Sequence, residues 1–517
     1  MQRTLTLSLL FLSLFASAQN TYQKLYVTVN GSQTSSIKHT NDGGFISSGG
    51  SSSGYWVIKA DHDGAVQWAK NLTNAYRIFS IRQTADGGFA GCGHGSNGAG
   101  KTQAMLVKFS PTGAIQWSKI YGDTANSSAT DLEQTADGGY IMSGTIGSVA
   151  TLMDVYAIRT DSAGNLLWAN RYASASQVAD ITSSVIEANG SYYISGNIQF
   201  STTSADALVM KINGNGTALW ACKYDAAGFR EFANEIMYSS GGKLLVVGYN
   251  EPVYLNTNIS LTQLDTTNGL INWNFDYGSP GLDYGFSLYQ NPDQSVVMAG
   301  SSDSSSGGNS SRDVILMKVG ITGNIIWCRQ YGGSGLDLVL QNCLDKTTDG
   351  GFLVQATSLN SFSTALNRST YVLKTDADGE AGCNSIANGF SASQTTLYRT
   401  GYLLTQSAEG NAQSVTITST AIGSDTTLCA FSGIEEMGEQ SSGLQLYPNP
   451  ASAFLNISCT DPLKQISIYN IEGKLLSTES RISGYTGVID VHHLASGRYL
   501  IKAITLTGMK TASFTRE

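Results

Sequence analysis

The chain has 517 residues, of which 30 are basic and 39 acidic, for a formal charge of −9. Charged residues make up only 13% of it, against a usual ~25%, and Gly, Ser, Thr, Asn and Tyr abound, a mixture that disfavours a helical protein. The acidic balance argues against nucleic-acid binding, and 41% hydrophobic residues with seven tryptophans argue against disorder.

Residues 1–18 read as a secretory signal peptide. Arg3 gives the basic start, Leu5 to Phe15 the apolar run, and Ala16-Ser17-Ala18 the cleavage site. The run is too short for a membrane anchor, which needs ~20 apolar residues. No later stretch suits a transmembrane segment, so the mature chain is expected beyond the inner membrane, secreted or at the cell surface.

Residues 19–382 are dominated by a repeat. Gly-x-x-x-Trp recurs at Gly64/Trp68, Gly113/Trp117, Gly164/Trp168, Gly216/Trp220, Gly269/Trp273 and Gly323/Trp327, with separations of 49, 51, 52, 53 and 54 residues. That period suits one four-stranded propeller blade. A second landmark, the Asp-Gly-Gly turn of Asp42, Asp86, Asp137 and Asp349 and its variants at Asn189, Gly241 and Asp293, occurs seven times. Between landmarks the residues alternate as strands joined by Asp/Gly hairpins, whose tight turns need positive φ and side-chain-to-backbone hydrogen bonds. A Tyr follows four residues after most of the tryptophans (Tyr121, Tyr172, Tyr224, Tyr277, Tyr331), on the same strand face, where both rings are expected to wedge against the neighbouring blade. The seventh repeat ends before a Trp strand, while Tyr22 to Tyr26 carries the same aromatic spacing. The N-terminal strand is therefore expected to close an all-β, seven-bladed propeller and hide two sheet edges.

The six turns resemble the tryptophan-docking motif of quinoprotein (PQQ-like) propeller repeats, which marks Trp68, Trp117, Trp168, Trp220, Trp273 and Trp327 as blade-docking residues. Quinoprotein dehydrogenases are usually eight-bladed and many carry adjacent cysteines. This chain has no Cys-Cys pair, so neither a redox enzyme nor a cofactor is expected.

Residues 383–440, rich in Ser, Thr, Ala and Asn, read as a β-rich spacer. Cys383 and Cys429 flank most of it, and an oxidising compartment suggests a disulfide between them, with Cys328–Cys343 as the rival. Residues 441–517 alternate as strands of a small β-sandwich. Tyr447-Pro448-Asn449-Pro450, then Tyr469 to Gly473-Lys474, then Leu494 to Gly497 and Tyr499 stand in that order. The segment resembles the type A C-terminal sorting domain of type IX secretion cargo. This implies a partnership with the type IX machinery and passage through the periplasm and across the outer membrane.

Chemistry is sparse. His39, His62, His94, His492 and His493 show no zinc spacing, Asp61-His62-Asp63-Gly64 lacks the rest of an EF-hand, and no Gly-x-Ser-x-Gly elbow is present. No catalytic or metal residue is therefore nominated. The expectation is a binding platform for an extracellular glycan, peptide or protein, carried on the face with the long loops such as Gly93 to Thr102 and Ser301 to Arg312. The alternative is a polysaccharide- or peptide-degrading hydrolase or lyase on the same scaffold.

Overall fold

A computed structural model describes residues 20–431 and 444–517, except for short gaps in the connections, the longest at 304–311 and 360–367. The signal-peptide residues 1–18 lie outside the described part. Two compact units emerge, one over Thr21–Phe431 and one that includes Ser432–Glu517.

The larger unit is a seven-bladed β-propeller. Blades 1 to 6 each run through four consecutive antiparallel strands, over residues 33–73, 75–122, 127–174, 179–225, 231–278 and 283–331. Blade 7 takes its first three positions from residues 336–375 and its fourth from Thr21–Val27, which pairs with Ser369–Thr375 from Tyr22↔Lys374 to Tyr26↔Thr370. Ring closure is sealed beyond that ladder. Thr34 N donates to Thr357 Oγ1 at 2.9 Å and Ile37 N to Asn342 O at 3.0 Å, joining blades 1 and 7.

The stretch expected to be a spacer is part of this unit. From residue 385 the chain runs backward around the ring and adds one short antiparallel strand to the outside of every blade. Ser385–Ala387 lies on blade 6, Ser391–Gln394 on blade 5, Tyr398–Gly401 on blade 4, Leu404–Ala408 on blade 3, Asn411–Ser414 on blade 2, Thr418–Ala421 on blade 1 and Ser424–Phe431 on blade 7. The Trp strand is therefore next to outermost, and the propeller boundary moves from 382 to 431. The physical reason is the edge problem. Seven fourth strands would otherwise present unpaired N–H and C=O groups to solvent, and the girdle satisfies them.

Blade docking repeats one contact. A carbon placed at Gly113 would lie 2.8 Å from the Trp68 ring, and the same relation joins Gly164 to Trp117 (2.7 Å), Gly216 to Trp168 (3.0 Å), Gly269 to Trp220 (2.9 Å) and Gly379 to Trp327 (2.9 Å). Two positions depart from the motif. Against Gly323 the nearest atoms belong to Phe275 (2.6 Å) rather than Trp273, and Gly64 meets Tyr22 (2.8 Å), so the N-terminal strand supplies a phenol ring where other blades use an indole. The Tyr four residues later donates its hydroxyl to the carbonyl of the same glycine: Tyr26 to Gly64 at 2.6 Å, Tyr121 to Gly164 at 2.8 Å, Tyr224 to Gly269 at 2.8 Å and Tyr277 to Gly323 at 3.1 Å. These tyrosines are buried, so they are blade cement rather than rim groups for a ligand. Gly113 has φ +78°, where a side chain is strained even before it meets the indole. Gly113→Ala is expected to cost about 3 kcal/mol, adding left-handed strain to overpacking, measured by denaturant unfolding. A loss below ~0.5 kcal/mol would show the contact to be incidental.

On the same face of the ring, the Asp-Gly-Gly hairpins are pinned from inside. Asp86 Oδ1 accepts from Gly88 N at 3.0 Å, from Thr84 Oγ1 at 2.5 Å and from Lys108 Nζ at 3.0 Å. Burial opposes its ionisation, but the Thr84, Lys108 and Gly88 hydrogen bonds outweigh it and hold Asp86 near pKa 2. Asp42–Lys59, Asp137–Arg159 and Asp349–Lys374 repeat the pin. Blade 5 has no Asp in this hairpin and inverts the pair, with Lys243 reaching Asp265 at 2.7 Å.

The smaller unit is built on one long strand, Phe454–Asn470, whose first half pairs with Leu444–Tyr447 and Gly484–Asp490 and whose second half pairs with Gly497–Thr505 and Leu475–Glu479. Met509–Arg516 completes the sheet beside Gly497–Thr505. Its core is mostly aliphatic, with Leu455, Ile457, Ile466, Ile468 and Ile501 fully buried beside the ring of Phe514.

Candidate functional site

Antiparallel order places the two kinds of hairpin on one face of the ring. The second-to-third connections and the blade-to-blade crossings lie on the other, where the inner strands begin. Several expected loops on that face are instead strand. Gly196 to Ala205 is mostly a tall hairpin of Ser191–Ser201 and Ser204–Asn213, and Tyr249 to Thr257 continues Leu244–Val253 into Asn256–Leu264. His94, expected in a loop, sits on the strand Phe89–Ser96, paired across to Arg77 and Ala104. Burial, with Arg77 beside it, drives its pKa down to about 4, so it is a neutral imidazole at neutral pH. Much of Ser301 to Arg312 lies outside the described residues.

Toward this end of the ring, the innermost strands of blades 2, 5 and 6 and the second strand of blade 5 carry half-buried aromatic rings. Phe232 stacks on Tyr249 at 4.5 Å, Tyr249 meets Tyr284 edge-on at 4.7 Å, and Phe286 lies parallel to Tyr284 at 6.2 Å. The Arg312 guanidinium covers Tyr284 at 4.8 Å. On blade 2, Arg77 covers Phe79 at 4.8 Å and His94 meets that ring at 5.3 Å. Blades 3 and 4 contribute hydroxyls instead, with Ser128 and Thr145 3.1 Å apart and Thr130 and Thr182 3.0 Å apart. Aromatic and arginine groups on blades 2, 5 and 6 thus flank the hydroxyls of blades 3 and 4.

Below this layer the channel is closed by polar side chains bonded to one another. Asp131, wholly buried, accepts from Ser80 Oγ at 2.8 Å, Ser184 Oγ at 3.0 Å and Val185 N at 3.1 Å, with Arg82 at 3.4 Å. Glu235 accepts from Ser287 and from Leu288 N at 3.0 Å, with Lys38 at 3.9 Å. Burial pushes the Glu235 carboxyl up, against Lys38 and the Ser287 bond. Gln341 of blade 7 crosses to Ser183 at 3.4 Å and Asn234 at 3.5 Å. These acids hold neighbouring inner strands together, so their hydrogen bonds are already committed to the scaffold. Sequence reading missed Asp131 and Glu235 because they stand 104 residues apart, and only blade register shows that they occupy equivalent positions.

In the smaller unit the sorting motifs turn out to be latches. Asn449 accepts from Thr515 N at 2.8 Å and donates to Ser513 O at 3.2 Å, fixing the Tyr-Pro-Asn-Pro turn to the strand Met509–Arg516. Tyr499 donates its hydroxyl to Ala495 O at 2.7 Å, closing the Leu494 to Gly497 turn, and its ring stacks on Phe514 at 5.5 Å. Gly473 and Lys474 lie outside the described residues. Residues 445–514 match the secretion system C-terminal sorting domain. The sorting domain indicates export of the chain to the cell surface or its secretion and engagement with the type IX machinery. Among the described residues no helix is long and apolar enough to cross a membrane.

No curated protein matches the sequence significantly. Among solved structures, the chain is similar to Drosophila Semaphorin 2a, at 7% identity and TM-score 0.38 over 97% of this chain and 96% of that one. A subtype N10 neuraminidase-like protein of influenza A from the little yellow-shouldered bat matches at 8% identity and TM-score 0.36 over 54% and 93%. An endo-arabinase from Bacteroides thetaiotaomicron matches at 12% identity and TM-score 0.27 over 47% and 92%.

The expected disulfide falls partly outside the described residues, since Cys383 is not among them. Cys429 lies on the last girdle strand opposite Gln23, whose amide reaches Ala381 O at 3.5 Å. The rival Cys328–Cys343 pairing is not formed; both thiols are free and buried.

Proposed function

We propose that the protein is an exported binding module, in which the propeller presents its channel mouth to an extracellular glycan and the sorting domain delivers it there. The half-buried aromatic cluster of Phe232, Tyr249, Tyr284 and Phe286 supports the reading. Sugar rings stack on exposed aromatic faces, and neighbouring hydroxyls and guanidinium groups satisfy sugar oxygens. The closed polar layer beneath makes the site a shallow dish suited to part of a chain rather than a pore.

A glycan array probed with the full mature chain tests this. On the best ligand, Tyr284→Ala is expected to weaken binding at least tenfold, the effect of losing about 1.4 kcal/mol of contact. A second variant, Asp86→Asn on the hairpin face, is expected to bind as the parent does. Loss confined to the hairpin variant, with both proteins folded, would move the site to the opposite face. An array without a single binder would remove the glycan reading.

A further inference from the structure

The junction between blades 4 and 5 gathers three carboxylates used neither in blade docking nor in the channel layer. Asp206 lies near the start of the third strand of blade 4, Asp225 ends its fourth, and Glu231 opens the first strand of blade 5. One oxygen from each lies within 4.8 Å of the others. Lys223 Nζ, 2.6 Å from Asp206 Oδ2, offsets one charge, and the nearby Arg230 is engaged by Glu251 at 2.7 Å.

A second observation points the same way. Glu231 Oε1 is buried, on a residue only 4% exposed, and no described residue gives it a hydrogen bond. Asn250, 1% exposed and directly opposite Glu231 in the ladder, has its Oδ1 in the same condition, while its amide nitrogen donates to Asp276 at 2.7 Å. Both residues line one cavity with Tyr224 and Phe232. A buried acceptor left unsatisfied costs ~1–3 kcal/mol, so two such acceptors beside three gathered carboxylates call for a cation.

We propose that Asp206, Asp225, Glu231 and the Asn250 amide oxygen bind a calcium ion that clamps blade 4 to blade 5. All the donors are oxygens, which selects a hard cation over zinc. A cage of protein oxygens suits calcium, whereas magnesium dehydrates reluctantly and keeps several of its waters.

The test uses the full mature chain stripped with EGTA. Terbium luminescence sensitised by Tyr224 and Trp220 is expected to appear and to be quenched by millimolar calcium, and the melting temperature is expected to rise with calcium more than with magnesium. Glu231→Gln and Asp225→Asn should each weaken calcium binding at least tenfold. Should Glu231→Gln fail to fold, Asp225→Asn decides alone, because that side chain is only half-buried. A calcium response undiminished in the folded variants would place the ion elsewhere, for instance at the exposed Asp61-His62-Asp63 group, and overturn the proposal. No terbium or calcium response at all would overturn it equally.

Discussion

A chain beginning at Ser32 is expected to lose the monomeric propeller, eluting as aggregate or melting at least 10 °C below the intact protein. The strand it lacks, Thr21–Val27, is an inner member of blade 7, hydrogen-bonded to Ser369–Thr375 on one side and to Ser424–Phe431 on the other. Tyr22, Leu25 and Tyr26 are buried, and at ~2–3 kcal/mol for each fully buried large side chain their removal forfeits roughly 6–9 kcal/mol before any ladder hydrogen bond is counted. That sum is comparable to the whole stability of a typical domain, about 5–15 kcal/mol. Deletion also leaves two sheet edges facing an empty slot, and unpaired edges recruit strands from other chains. Size-exclusion chromatography and a circular dichroism melt decide it. A truncated protein as monomeric and as heat-stable as the parent would mean that the ring closes without this strand.

Residues 441–517, fused behind a signal peptide to an inert reporter in a host with type IX machinery, are expected to carry that reporter across the outer membrane. The basis is the match over 445–514 and the separation of this unit from Thr21–Phe431. The complementary deletion should leave a folded propeller in the periplasm, protease-resistant but absent from the medium and the cell surface. Asn449→Ala is expected to reduce export in the fusion, because it releases the turn from Ser513 and Thr515. A reporter that stayed periplasmic with the intact tail would end the assignment of export to this segment, and an Asn449→Ala fusion exported as well as the parent would confine that residue to folding.

What the amino-acid pattern revealed was whatever recurs. Glycine at the third-to-fourth hairpin must have positive φ and leave room for a ring, so it reappears with its aromatic partner at almost constant spacing. Seven blades and the closing role of Tyr22 to Tyr26 follow from that arithmetic. Phe275 escaped because it takes the ring's place two residues after Trp273 and so breaks the spacing. The girdle escaped for a deeper reason. Its strands, many only three to five residues long, bind through backbone groups that every residue offers, so the segment reads as β-rich but nothing in it names the blade each strand pairs with. The channel mouth was equally hidden, since Phe79, Phe232 and Tyr284 come from three different blades. The export tail was the most legible part, because its motifs are short turns whose residues are fixed by local bonds such as Tyr499 to Ala495.

The pairing of Thr21–Val27 with Ser424–Phe431 joins residues about 400 positions apart. Contacts of such sequence separation form late, since loop closure must be completed before they contribute. Blade 7 therefore cannot be finished until residue 431 is available, and the girdle must pass every other blade before it reaches that point. Unfolding faces the same obstacle in reverse, because no blade can peel away at its outer edge while the strand that covers it is held at both neighbours. A protein built this way resists by rate as much as by free energy. Outside the cell, where proteases act and no chaperone refolds a damaged chain, a slow-opening ring is the form of durability that counts.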